Sequence, residues 1–70
     1  MYSEFRTNLM ITILKNNIVN IHISNGEIIV IGLGGYDKDQ FQCRELGFTI
    51  NKEGTYNWYS YSSIIKMEIY

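Results

Sequence analysis

Residues 19–35, VNIHISNGEIIVIGLGG, constrain this chain more than any other stretch. Val19, Ile21 and Ile23 alternate with Asn20, His22 and Ser24. A period of two sends successive side chains to opposite faces of a strand, so one face is buried and the other wet. Asn25-Gly26 follows, a pair suited to a two-residue type I′ turn, in which both central positions need positive φ. A second apolar run, 27–31, then breaks on Gly32, Gly34 and Gly35. The pattern predicts a β-hairpin with strands over 18–24 and 27–32, the second strand bending at its far end. Residues 28–31 are all apolar, so both faces of that strand read as covered, as in the central strand of a closed barrel.

The glycines at 32, 34 and 35 do not form a phosphate loop. That motif needs a third spaced glycine and a helix whose N-terminus receives the phosphate. Here Tyr36-Asp37-Lys38-Asp39-Gln40 follows, a polar loop leading to another strand. Glycine instead suits a sharp bend or a close approach of two backbones.

Residues 1–17 read two ways. Phe5, Leu9 and Ile13, with Met10 and Leu14 beside them, fall on one helical face, while 9–14 also reads as a β-rich run. The balance favours a short N-terminal helix giving way to a strand near Met10, and both readings stop at Lys15-Asn16-Asn17. Further on, 41–46 reads as a strand, interrupted by Gly47 and continued by Phe48-Thr49-Ile50. Asn51-Lys52-Glu53-Gly54 has the composition of a four-residue turn. An aromatic strand over 55–61 follows, then a tight or 3₁₀ turn at Ser62-Ser63. A last strand over 64–70 points Ile65, Met67 and Ile69 inward. Short strands at even spacing, uninterrupted by proline, predict a mainly β fold: a small antiparallel barrel of five or six strands.

Seventy residues without a linker or repeat make a single domain, 1–70, near the lower limit for folding alone. One cysteine forms no internal disulfide, and one cysteine with one histidine forms no zinc site. Self-association into a homo-oligomer is the staple that remains, and no cofactor is called for. A net charge of −1 with scattered Lys and Arg argues against non-specific duplex binding, yet leaves room for stacking on unpaired bases. The sequence lacks a membrane-length apolar run and a secretory leader pattern, which makes the cytoplasm the expected location.

The alternating strand, Asn25-Gly26, the bent apolar strand and Tyr36-Asp37 together resemble the Sm-like (Hfq-like) family. Tyr59-Ser60-Tyr61 ahead of Ile64-Ile65 is similar to the bacterial Tyr-Lys-His stretch before the last strand of that family. The likeness covers about half the chain, roughly 18–41 and 58–69. It implies a small barrel in which Asp37 supports the loop after the bent strand, and a ring that binds single-stranded RNA. Ser60 and Tyr61 stand where the family carries its two RNA-contacting basic residues. An SH3-like barrel has the same strand logic and also a short 3₁₀ turn before its last strand, so both architectures stay open.

The binding candidates are Tyr36, Asp37 and Gln40 in the polar loop, and Trp58, Tyr59 and Tyr61 in the aromatic strand. On a strand Tyr56 and Trp58 share one face, Tyr59 and Tyr61 the other, so either one pair is core and the other exposed unless a partner covers it, or both pack, one in the barrel and one under the N-terminal segment. His22 stands on the polar face without a nucleophile and orienting acid, and Cys43 shares a face with Phe41 as a small buried hydrophobe. No nucleophile–base pair, metal cluster or phosphate loop points to an enzyme. The leading expectation is a non-catalytic module that binds a protein partner through the aromatic strand or a sheet edge. An Sm-like ring binding single-stranded RNA and a structural or assembly subunit are the alternatives.

Overall fold

A computed structural model of the chain describes residues 3–70. Helix α1 (Ser3–Lys15) precedes β1 (Ile18–Ile23) and β2 (Ile28–Gly32). A 3₁₀ turn (Lys38–Gln40) leads to β3 (Phe41–Cys43), β4 (Gly47–Lys52) and β5 (Thr55–Ser60). A second 3₁₀ turn (Tyr61–Ser63) leads to β6 (Ile64–Ile69). The fold is mainly β: six strands in two three-stranded antiparallel sheets, ordered β2-β1-β6 and β3-β4-β5.

The helix runs on through the segment read as turning to strand near Met10. Leu9 and Ile13, four residues apart, form one buried stripe over the core, whereas Met10, Ile11 and Leu14 stay exposed. The break at Lys15 is as read: the Asn16 backbone and side-chain amides both donate to Thr12 O, at 3.2 and 2.8 Å. Residues 1 and 2 of the ambiguous segment lie outside the described residues.

The β1–β2 hairpin forms, but its turn is not type I′. Gly26 (φ 94°) is the one residue of that turn with positive φ, Gly26 N–H donates to Ile23 O (2.9 Å), and Ile23 N–H to Glu27 O (2.9 Å). The loop is therefore the three residues 24–26, a tight turn closed by a left-handed glycine. Nor is β2 covered on both faces. It is an edge strand, with Ile29 and Ile31 buried, Val30 half-buried and Ile28 exposed. The bend beyond it is real: Gly35 N–H donates to Gly32 O, and Tyr36 N–H returns to Val30 O at 2.8 Å.

Residues 41–52 are two strands, not one interrupted strand. Arg44 N–H donates to Gly47 O (2.7 Å), which folds β3 back on β4 with Cys43 opposite Phe48. The positive-φ pair predicted for Asn25-Gly26 occurs instead at Glu53-Gly54 (φ 54° and 85°), which joins Lys52 to Thr55. In β6 the register on β1 shifts between His22 and Ile23, so Ile64 and not Ile65 lies opposite Ile23. Ile65 and Ile69, both expected inward, are exposed, and of the three only Met67 packs against the core.

The core lies between the sheets. Val19, Ile21, Ile23, Ile29 and Ile31 face Phe41, Phe48 and Ile50, with Leu9, Ile13 and Tyr61 closing the ends. Phe48 stacks between Phe41 and Tyr59, with ring centroids 4.9 and 5.3 Å away.

Candidate interaction surface on the aromatic strand

β5 occupies an edge of its sheet, hydrogen-bonded to β4 alone. Its residues alternate as the sequence implies. Tyr59 turns inward onto Phe48, while Tyr56 and Trp58 turn outward and remain 63% and 52% exposed. The two-residue turn at Glu53-Gly54 makes Lys52 and Thr55 a hydrogen-bonded pair, after which bonded and non-bonded pairs alternate. Counted on that ladder, the peptide groups of Tyr56 and Trp58 point away from β4, to the free edge, whereas the outward Ser60 carbonyl accepts from Ser63 Oγ (2.6 Å).

Trp58 is not a loose surface ring. A Cβ placed on the neighbouring Gly47 would come within 2.7 Å of the indole Cζ2, so the indole lies across β4 where a side chain is missing. Opposite Trp58 is Thr49, whose hydroxyl oxygen is buried without a hydrogen-bond partner.

Below the free edge opens a cleft of about 480 Å³ between β5, Ser63 and the β1–β2 loop. Glu27 supplies its carboxylate. One oxygen accepts from Asn25 Nδ2 (2.8 Å), the other from Tyr59 O–H (2.8 Å). The Asn25 and Tyr59 hydrogen bonds, helped by the field of Lys52, hold the Glu27 carboxyl below its ordinary range. Burial, and then the carboxylate it serves, push the Tyr59 phenol up to about 12.

The predicted site residues thus divide. Trp58 and Tyr59 share the cleft. Tyr61 is buried at 3% exposure, its ring 5.1 Å from that of Phe5 and its hydroxyl donating to Arg44 O, so it belongs to the core. Tyr36 is half-buried and packs on the core. Asp37 lines a separate open recess with Asn17 and Gly32, its backbone N–H bonded to Gln40 Oε1 (2.8 Å). Gln40 Nε2 donates onward to Asn51 O (2.9 Å), tying the loop to β4. Glu27 and Asn25 are the residues that the sequence reading missed. Glu27 lies 32 positions from Tyr59, and no local pattern links the two.

His22 meets Glu68 across β1 and β6 at 2.5 Å, a cross-strand pair that holds Glu68 below its usual range. Cys43 is half-buried against the core, where burial pushes its thiol up. Among the described residues no cluster of three or more metal-ligating side chains occurs, and no helix is long and apolar enough to cross a membrane. The chain matches no protein-family model, no curated protein and no solved structure.

Proposed function

We propose that this chain is a non-catalytic interaction module that takes an extended segment of a partner protein along the free edge of β5. The observation that carries this reading is an aromatic strand left at a sheet edge, with Tyr56 and Trp58 exposed beside unpaired peptide groups. Unpaired edges recruit further strands, and stiff aromatic rings bury much area at small entropic cost. The two sheets are read as halves of a small Sm-like or SH3-like barrel, a reading supported by the 3₁₀ turn Tyr61–Ser63 ahead of the last strand.

A protein partner is favoured over single-stranded RNA by charge. Glu27 is the charged residue lining the cleft, and a fixed carboxylate there repels a phosphate backbone. Pairing with a second copy is the competing use of the same edge, since β6 also ends its sheet with Ile65 and Ile69 exposed.

The test is selection from a displayed library of extended peptides, followed by titration. Trp58 is the sole tryptophan of the chain, so its emission reports the site. Selected peptides are expected to shift that emission and to lose at least tenfold in affinity, read by anisotropy of labelled peptide, in the Tyr56→Ala/Trp58→Ala protein. Selection that yields no binder overturns the reading, as does salt-sensitive saturation of Trp58 by an oligo-U probe. A native mass spectrum of oligomers with Trp58 shielded, and no peptide bound, replaces it with self-association.

A further inference from the structure

We infer that the cleft between β5 and the β1–β2 loop receives the guanidinium of an arginine carried by the docked segment. The inference rests on the edge-docking reading above and names the chemistry that such a segment brings.

Two observations converge on this class of group. First, the cleft holds an anion that no cation among the described residues neutralises by contact. Among the described residues the ion pair formed is His22 with Glu68, and Lys52 acts on Glu27 only through its field. Second, the carboxylate is oriented in advance. Each oxygen of Glu27 takes one hydrogen bond, from Asn25 Nδ2 and from Tyr59 O–H, and Glu27 N–H in turn donates to Asn25 Oδ1 at 2.9 Å. A carboxylate oxygen has two lone pairs, so one remains on each oxygen. That is the arrangement a planar fork of two N–H donors fills, and a compact ammonium fills it less well. The remaining walls, among them Asn57, Ser60 and Ser63, offer polar groups to the other guanidinium nitrogens.

Glu27 is exposed, so a paired charge there is partly screened, and the gain comes from the fork geometry as much as from attraction. The arginine therefore sets which segment docks, while the β5 edge supplies the docking itself.

The experiment is the same peptide selection run on the wild type and on Glu27→Gln. The substitution keeps an acceptor for Tyr59 and removes the charge. Wild-type binders are expected to carry arginine at one fixed position. Replacing it by citrulline, a neutral isostere, should weaken binding at least tenfold and replacing it by lysine less. Against Glu27→Gln the arginine and citrulline peptides should bind alike. Binders with no arginine at any fixed position, or an arginine-to-citrulline ratio unchanged by Glu27→Gln, overturn the guanidinium assignment and leave edge docking standing. A selection that returns no binder to the wild type removes both.

Discussion

Phe48 is the side chain on which most of the interior converges. It is fully buried and stacked between Phe41 and Tyr59. Phe48→Ala removes the ring and leaves a cavity, at a cost of about 3–5 kcal/mol. Small domains have little more than that to lose, so the variant is expected to be largely unfolded by circular dichroism at 25 °C. Thr49 carries the opposite prediction. Its hydroxyl oxygen is buried beneath the exposed face without a partner, and an unpaired buried polar atom is a penalty. Thr49→Val keeps the shape and strand preference and should raise stability by about 1 kcal/mol, read as a higher denaturant midpoint. A lower midpoint shows that the hydroxyl is satisfied by solvent. Gly47→Ala tests the seat of the tryptophan. The added methyl would press on the indole and on the Tyr59 carbonyl, so Trp58 emission should change along with a loss of roughly 1–3 kcal/mol.

Among elements, the hairpins show most clearly what local sequence can and cannot specify. Asn25-Gly26 is an ideal type I′ pair, yet a three-residue loop forms there with glycine alone left-handed. The pairing of Ile23 with Glu27 decides this, because the inward alternation of β1 and β2 must hold across the turn. Glu53-Gly54, with a poorer first residue, is held in the left-handed region by the six-residue register of β4 on β5. Glu53→Asn should therefore stabilise the protein by roughly 0.5–1 kcal/mol, part of the 1–2 kcal/mol that a left-handed residue costs. Thermal unfolding checks it, and an unchanged or lower midpoint shows the turn to be unstrained. The helix tells the same story from the other side. Residues 9–14 suit either state by pattern, and what selects the helix is that Leu9 and Ile13 together cover the open end of the sheets.

For the whole molecule, the titrating groups define a window of stability. Tyr59 and Tyr61 are both pushed up to about 12, chiefly by burial. The unfolded chain releases those protons near the ordinary phenol value of 10.0, so the folded state binds more of them above that pH. Their contribution is complete below pH 10 and is lost as the pH rises towards about 12. Glu27 and Glu68 act in the opposite sense. Both are lowered from 4.5, so their contribution is present above that pH and is lost as the pH falls below it. Denaturant midpoints against pH should form a plateau between these limits. An alkaline absorbance titration should find two phenols that ionise late, and Tyr59→Phe should remove one of them. A midpoint that keeps rising above pH 10 contradicts the assignment.

Much of this protein was legible before its structure. The alternation of 18–24, the bend at the glycines and the opposed faces of Tyr56/Trp58 and Tyr59/Tyr61 follow from a period of two, which any strand obeys wherever it sits. The class of fold was legible for the same reason. Which faces end up covered was not, because burial depends on what lies across the core. Residues 28–31 look equally apolar, but β2 became an edge strand and left Ile28 exposed. Tyr61 looked like a partner of Tyr59 in binding, but the 3₁₀ turn carries it into the interior. The cleft itself is wholly a tertiary product. Glu27, Tyr59 and Trp58 meet only because the two sheets pack face to face, bringing a turn of one to the free edge of the other. Periodicity is written along the chain; proximity across it arises only when the sheets close on a common core.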